Sequence, residues 1–590
     1  KDEPGEEMSE PARVWRLYID EATKFDATLI EGCNRGIDVL LVFTGLFSAV
    51  LTTFIIQSFQ MLIPDPTETT NTMLAQLLAV QAGIAGVELI LPAEPTSASR
   101  FQMNWVNGLW FAALSCSLST ALISMLAKQW TQAYTPHTSG SPRHRARQRQ
   151  SRYMHLKSWG VMGVINALPL LLHVALLLFF AGLIVLLWNV DLALTIATWI
   201  IVASAYGFYF ASIWLPLLYP ECPYQHPLSD HLQKWLGPIT VVTFNGMSSN
   251  NNSSESVRDS YKPKKPFFVS SDDILDASAL VWLFTRSTDK HVVATALQAI
   301  AGLPRDFTAM HILQGAGALH LVEQAFQYCF DKDTTIDLKW HLHDADSAWL
   351  YCRAWMNLTR GTGEQWPIDL VEPLWKLQDQ KSHTDAAATA SCAIALSSPD
   401  THLAQWELLS YLSHYAAGDL QLTSATVCCL LDSIIEITIQ WEMPTAVIGQ
   451  TTVRAVPTLL RLLQSLGDMQ TSNVHSAAAL ALYVFTQEGP IDLNLYRSEE
   501  RRRVDYCEIM LTSLSKITTK PAQFGVEETL LDVAALELCR MASPVLGQSQ
   551  RFSNGLRDIT RASLFEMFMA GRIGPGRVSD SALADVLHLL

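Results

Sequence analysis

The sequence predicts an all-α protein: a four-span helical transmembrane domain followed by a cytoplasmic armadillo/HEAT-like irregular helical-repeat domain. Hydrophobic residues make up 49% of the 590-residue chain and charged residues 16%, against ~25% charged residues in soluble domains. The apolar residues are concentrated in four long stretches before residue 220, and amphipathic helical patterns follow from about residue 267. The net charge of −15 argues against nucleic-acid binding as a general role.

Residues 1–36 form an acidic amino-terminal segment ahead of the first apolar stretch. Within it, residues 14–29 place five apolar side chains at helical spacing, namely Val14, Tyr18, Ala22, Phe25 and Leu29. This pattern predicts an amphipathic helix that lies in the plane of the membrane. The printed sequence begins at Lys1, not at a methionine, which leaves the natural start open.

Residues 37–220 contain four stretches long enough to cross a bilayer, which takes about 20 apolar residues. The predicted spans lie at about 37–61, 105–127, 160–188 and 192–218. The short turn after Trp188 predicts that the last two spans form an antiparallel hairpin, and Pro169 should kink or tilt the third span. The first stretch is too long for a cleavable signal peptide.

The charges between the spans predict the orientation, because Lys and Arg near span ends stay on the cytoplasmic side. The segment between the second and third spans carries seven cations and no acidic residue: Lys128, Arg143, Arg145, Arg147, Arg149, Arg152 and Lys157. The loop 61–104 carries four acidic residues against Arg100. We therefore expect a multi-pass integral membrane protein with both termini cytoplasmic. The sequence does not indicate which cellular membrane holds it.

Residues 73–91 are the one ambiguous stretch, nearly long enough for a fifth span. A fifth crossing would place the seven-cation segment outside. The apolar residues recur at helical spacing with glutamines at the edge of the stripe, so an amphipathic helix on the outer surface is the better interpretation.

The second half of the chain predicts stacked helices on the cytoplasmic side. Residues 221–266 include a Ser/Asn-rich stretch typical of a flexible linker. From 267 to 590, segments such as 272–287, 289–304, 346–360, 471–487 and 526–542 carry apolar residues at i, i+3, i+4 and i+7. Helix pairs of this kind bury their apolar faces by stacking on neighbours. The period is irregular.

Two groups of polar residues are candidate sites at the membrane. The cations Arg143, Arg145, Arg147, Arg149, Arg152 and Lys157 could bind anionic lipid headgroups, at about 1 kcal/mol per cation. The alternative is that they act only as a topology signal. Asn166 and His173 lie within the third predicted span, where polar groups are costly and often functional. The alternative is a hydrogen bond to a neighbouring span.

The sequence shows no catalytic or cofactor motif, so we expect neither enzymatic activity nor a cofactor. His341, His343 and Asp344 stand close together, but a zinc site needs three or four converging ligands and no partner pair is evident. The glycines of 571–577 lack the Lys-Ser/Thr of a phosphate-binding loop.

The amino-terminal run carries a family resemblance. The motifs WRLYIDEATKFDATLIEGCNRGIDVLLVFTGLFSAVLTTFIIQSFQML, VNGLWFAALSCSLSTALISMLAKQW, RHRARQRQ and LPLLLHVALLLFFAGLIVLLW follow in order over about residues 13–220. This order resembles the fungal, mainly basidiomycete, membrane family called domain of unknown function 6535. The resemblance implies a multi-span membrane domain without an assigned activity, and it supplies no catalytic residues.

Two functions from different classes follow from these features. The leading hypothesis is a non-enzymatic, membrane-anchored helical-repeat scaffold that binds a cytoplasmic protein partner. The alternative is an oligomeric four-span channel, because one copy has too few polar residues to enclose an aqueous path. In that case the more polar spans would face the axis with Thr52, Thr53 and Gln57, or with Ser115, Ser119 and Ser124.

Overall fold

The computed structural model is mostly helical and divides into two compact units. One unit, here called the helical domain, comprises Lys1–Glu21, Gly140–Gln150 and Ser256–Leu590. The other, here called the apolar unit, comprises Ala22–Ser139 and Ser151–Glu255. The structure describes residues 2–60, 66–81, 97–134, 139–188, 190–218, 271–304, 307–332, 340–362, 364–380, 383–397, 401–440, 445–466, 473–487, 506–546, 554–579, 583–584 and 586–587. The predicted linker 221–266 lies outside these ranges.

The first part of the chain forms six helices among the described residues. They are α1 (Arg13–Gln60), α2 (Pro66–Gln81), α3 (Ser97–Tyr134), α4 (Pro142–Ser158), α5 (Val161–Leu187) and α6 (Leu192–Leu218). Four of them, α1, α3, α5 and α6, are long and apolar enough to span a membrane. This confirms the four predicted apolar spans as helices.

The apolar unit is held together by α1, α3 and α5. Phe47 and Leu51 of α1 pack with Val106 and Trp110 of α3 and with Ala175 of α5. A second cluster joins the same helices through Ile37, Ala127 and Ile165. By contrast, α6 leaves most of its large apolar side chains exposed, which suits a surface surrounded by lipid hydrocarbon.

The helix α1 differs from the expectation for residues 14–29. The structure has one continuous helix from Arg13 to Gln60, in place of a separate in-plane helix before the first span. Val14 and Tyr18 are buried by protein. The prediction of an in-plane membrane helix is therefore wrong, because the apolar side chains at its start are covered by the chain itself.

Part of the ambiguous stretch 73–91 lies in α2, which ends at Gln81. Met73, Leu74, Leu77 and Leu78 are exposed on it. Residues 82–91 lie outside the described ranges.

The helical domain continues from residue 271 as a series of short helices. They are α7 (Asp272–Arg286), α8 (Lys290–Ala299), α9 (Met310–Gly315), α10 (Ala318–Gln327), α11 (Ala345–Thr359), α12 (Val371–Gln378), α13 (Thr384–Ser397), α14 (Thr401–Ala417), α15 (Ser424–Gln440), α16 (Thr445–Ser465), α17 (Asn473–Thr486), α18 (Tyr506–Thr519), α19 (Glu528–Leu546) and α20 (Asn554–Met569). Short 3₁₀ helices lie at Ile300–Gly302, Ile368–Leu370 and Pro521–Phe524.

Alternate helices of this series pack against each other. The helices α11, α13, α15, α17 and α18 contact one another in turn, and α14 contacts α16 on the other side of the stack. Their cores are small and apolar, with Ala388, Ala390 and Ala393 of α13 fully buried. Small side chains let successive helices approach closely, so each helix buries its apolar face on its neighbours.

The all-α prediction needs one correction. Two three-residue strands, β1 (Phe330–Lys332) and β2 (Trp340–Leu342), pair antiparallel with Phe330 opposite Leu342. Strands this short show too little alternation to be recognised in the sequence.

Candidate functional site

The basic run between the second and third spans folds as α4, and its first half belongs to the helical domain. Arginine and glutamine are good helix formers, and Ser141 accepts a hydrogen bond from the His144 backbone N–H at 3.3 Å as the helix begins. Helical spacing places Arg143 and Arg147 four residues apart on one face.

Both arginines bind the same buried carboxylate, Asp276 of α7. Arg143 donates to Oδ2 from Nη2 at 2.7 Å and from Nε at 3.1 Å. Arg147 donates to Oδ1 from Nε at 2.7 Å and to Oδ2 from Nη2 at 2.7 Å. The Asp276 side chain is 0% exposed, so these four charge-assisted hydrogen bonds replace the water that the carboxylate loses on burial.

A second carboxylate extends the pairing toward solvent. Asp272 lies one turn before Asp276, and its Oδ2 accepts from Arg147 Nη1 at 2.7 Å. The pKa of the Arg147 guanidinium is raised, first by the hydrogen bond with Asp276 and further by the nearby negative charges. Arg147 therefore stays charged under all physiological conditions.

Aromatic residues pack beside this charge cluster. The Arg149 guanidinium lies over the Trp282 ring at 4.4 Å and donates to the Tyr18 hydroxyl at 2.9 Å. Tyr18 meets Trp282 edge-on, with 5.3 Å between ring centroids, and donates to Gln150 Oε1 at 2.6 Å. Trp15 is fully buried, with Arg143 above its ring at 5.7 Å.

These contacts define what we call the clasp: Trp15, Tyr18, Arg143, Arg147 and Arg149 bound to Asp272, Asp276 and Trp282. Its members come from three chain segments, one at the start of the first apolar helix, one between the second and third, and one after the fourth. The clasp joins these segments into one folded unit.

The six predicted lipid-headgroup residues therefore divide into two groups. Arg143, Arg147 and Arg149 have protein partners in the clasp. Arg145 and Arg152 are half-buried and Lys157 is exposed. Sequence reasoning missed Asp272 and Asp276, although their four-residue spacing matches that of Arg143 and Arg147.

The intramembrane candidates Asn166 and His173 lie on α5. Asn166 is exposed. His173 Nδ1 contacts the Pro169 carbonyl oxygen of its own helix at 2.6 Å, and its ring stacks on Tyr209 of α6 at 4.6 Å. The Tyr206 hydroxyl donates to the His173 carbonyl oxygen at 2.8 Å. These contacts join α5 to α6, so His173 has a packing role between the two helices.

Several candidate pore-lining hydroxyls are bonded within their own helices. Thr52 and Thr53 donate to the carbonyl oxygens of Ser48 and Val50, and Ser115 donates to that of Phe111. Such bonds make a hydroxyl tolerable against hydrocarbon. Gln57 and Ser119 are exposed, whereas Ser124 is buried.

The residues weighed as a zinc site have other roles in the structure. Asp344 caps α11 by accepting from the Ser347 backbone N–H, and His343 Nε2 contacts the Tyr328 carbonyl oxygen at 2.8 Å. His341 lies in β2. Among the described residues, no group of three or more His, Cys, Asp or Glu side chains could hold a metal ion.

Comparison with known proteins agrees with the resemblance drawn from the sequence. Residues 15–189 match the model of a family of unknown function, DUF6535. This range covers the first three apolar helices and α4, including the arginines of the clasp, but neither α6 nor the helices from α7 onward. No curated protein and no solved structure matches the chain.

Proposed function

We propose that the chain is a non-enzymatic, membrane-anchored scaffold whose cytoplasmic helical domain binds other proteins. The observation that carries the proposal is the clasp. It links the segments on either side of the apolar helices into a single folded domain, which is the arrangement expected of an anchor holding a recognition domain at the membrane.

The clasp also supports an even number of crossings between its segments. Segments that pack together must lie on the same side of the membrane. The rest of α1 and all of α3 separate Trp15 from Arg143, and α5 and α6 separate Arg149 from Asp276. A fifth crossing at 73–91 would put Arg143 and Trp15 on opposite sides, which is incompatible with their contact at 5.7 Å.

The charge distribution supports a cytoplasmic location for that side. The seven-cation segment lies on the side of the clasp, and the positive-inside rule assigns it to the cytoplasm. Both termini follow to the same side. The anionic-lipid role now rests on Arg145, Arg152 and Lys157, because the other three arginines have protein partners.

The stacked helices support the recognition role. We propose an armadillo- or HEAT-like array, in which each helix pair adds surface without changing the pairs before it, so that the domain presents an extended face to a protein partner. The alternation of contacts from α11 to α18 is the feature that favours such an array.

The scaffold is tested by comparing the full chain with a chain ending at residue 266. The shortened chain should still insert in the membrane and should lose the partners that the full chain captures under crosslinking. The matched control is the full chain with Asp289→Asn, a change at an exposed helix cap, which should keep them. Unchanged partners on the shortened chain would refute the proposal.

The oligomeric channel remains the second candidate, favoured by the exposed Gln57 and Ser119 on apolar helices. It requires several copies around one axis. Mass measurement in detergent and conductance in planar bilayers separate the two functions. A monomer without conductance supports the scaffold, whereas a ring of subunits that passes current supports the channel.

A further inference from the structure

The amino-terminal residues 2–12 are bound to the helical domain as a folded peptide. They form consecutive turns, with Glu6 N–H donating to the Glu3 carbonyl, Ser9 to Glu6 and Ala12 to Ser9. Glu7 and Met8 are only 6% and 3% exposed. Burial of a glutamate on a peptide without regular secondary structure requires a site that compensates its charge.

That site is built around Arg353 of α11. Arg353 Nη1 donates to Glu7 Oε1 at 3.1 Å, and its Nη2 donates to the Ala301 carbonyl at 2.9 Å. Asn357, one turn later, donates to the same Ala301 carbonyl at 3.2 Å and to that of Ile300 at 3.0 Å. The receptor arginine is thus fixed by the turn after α8, and both ends of the ion pair are over 90% buried.

Two glycines permit the close approach of peptide and receptor. A Cβ atom on Gly302 would lie 2.6 Å from Glu7 Oε2 and 3.0 Å from the Glu7 backbone nitrogen. On the peptide side, Gly5 adopts a left-handed conformation with φ of 91° and donates to Glu7 Oε2 at 2.9 Å. A Cβ on Gly5 would meet Ala425 at 3.2 Å. The recognised pattern is therefore Gly-x-Glu-Met, residues 5–8.

We infer that the groove formed by the 300–302 turn, Arg353 and Ala425 is a receptor site for acidic Gly-x-Glu-Met peptides, which the chain's own residues 2–12 occupy in cis. A partner protein that carries this pattern would bind by displacing the tethered segment. The tether gives the internal peptide an effective concentration of order mM, so a partner must compete with it. This inference deepens the scaffold function by giving the chemistry of a partner, and it rests on that proposal.

The test uses a fluorescent peptide of residues 2–12 and the full chain in detergent. Glu7→Gln in the chain weakens the internal ligand and leaves Arg353 and Gly302 intact. Peptide binding measured by fluorescence anisotropy should be at least tenfold tighter to this variant than to the unaltered chain. Gly302→Ala, added to the Glu7→Gln chain, should abolish this gain in peptide affinity. Gly315→Ala, added to the same chain, should leave the gain unchanged, because a Cβ on Gly315 meets nothing within 4 Å.

Equal peptide affinity for the unaltered and Glu7→Gln chains, or a gain that survives Gly302→Ala, would overturn the inference. Amide hydrogen exchange gives a second measurement that does not need the Glu7 variant. Residues 3–12 should exchange at least tenfold faster in Gly302→Ala than in Gly315→Ala, and equal rates would count against the site. The crosslinking comparison that tests the scaffold is independent of both measurements. A negative result for the groove would therefore not refute the scaffold proposal.

Discussion

Asp276 and Asp272 lie one helical turn apart, and both bind Arg147, yet they differ in exposure. The Asp276 side chain is fully buried, whereas the Asp272 side chain is 70% exposed. A buried partner removed from an ion pair leaves uncompensated charge, which costs about 3–5 kcal/mol. An exposed pair contributes about 0–1 kcal/mol.

The first prediction compares these two positions. Asp276→Asn should lower the free energy of unfolding of the helical domain by about 3 kcal/mol, because Arg143 and Arg147 lose their common carboxylate. Asp272→Asn, on the same helix, should change it by less than about 1 kcal/mol. Urea unfolding followed by tryptophan fluorescence measures both. A loss below about 1 kcal/mol for Asp276→Asn would mean that the clasp does not stabilise the domain.

Three buried thiols give a prediction about pH. Burial, with the nearby negative charge of Asp344, raises the pKa of Cys329 to about 12. Burial raises the pKa values of Cys352 and Cys392 well above their ordinary value. The thiolate is the reactive form of cysteine. A raised pKa keeps these thiols protonated at pH 8, so almost no thiolate is present to react.

These three cysteines should therefore stay unmodified by N-ethylmaleimide at pH 8 in the folded chain and react after unfolding in guanidinium. Peptide mass spectrometry reads each position separately. Modification of the folded chain at the rate of a free peptide thiol would show that α11 or α13 opens locally.

At the scale of elements, the helix starts of the helical domain could be read from single residues. Ser271, Asp289 and Asp344 each accept a hydrogen bond from a backbone N–H in the first turn of α7, α8 or α11. These caps, together with the apolar period, explain why the predicted segments 272–287, 289–304 and 346–360 match the helices closely.

The clasp could not be predicted in the same way. Arg147 and Asp276 are 129 residues apart, and no local rule connects side chains at that distance. The span boundaries could be predicted from hydropathy alone. The burial of the start of α1 around Tyr18, by contrast, depends on Trp282 and Gln150, which lie far along the chain. For the same reason, an apolar helical face predicted at a membrane surface was found buried in protein.

The contact between α3 and α5 gives a prediction at the element scale. A Cβ on Gly182 would lie 2.5 Å from Trp110 Nε1, whose N–H donates to the Phe179 carbonyl at 3.1 Å. Gly182→Ala should destabilise this pair by about 1–3 kcal/mol through overpacking. Gly163→Ala on the same helix is the control, because a Cβ there meets nothing within 4 Å. Thermal unfolding in detergent should separate the two variants, and identical midpoints would contradict the close packing.

At the scale of the whole molecule, the clasp bears on the proposed membrane topology. In the proposed topology, its three segments reach the cytoplasmic side at separate times during synthesis, and the segment with Asp276 and Trp282 is made last. With that topology, Arg143 and Arg147 would stay solvated on the cytoplasmic side until α7 folds against them. We therefore propose that the charge cluster first orients the spans by the positive-inside rule and later becomes part of the folded domain.

The last prediction tests this arrangement with glycosylation, which marks only the side opposite the cytoplasm. Met73→Thr completes an Asn-x-Thr acceptor at Asn71 in the 61–104 loop, and Met73 is 55% exposed on α2. Expressed with microsomes, this variant should gain one glycan that an endoglycosidase removes. Met73→Ala is the matched control and should gain none.

The unaltered chain already carries acceptors at Asn251 and Asn252, between the last apolar helix and α7. These should stay unmodified, because the clasp requires Asp276 to lie on the same side as Arg143. A glycan at Asn251 or Asn252, with none at Asn71, would show that the orientation is the reverse of the proposed one, although the number of crossings would still be even.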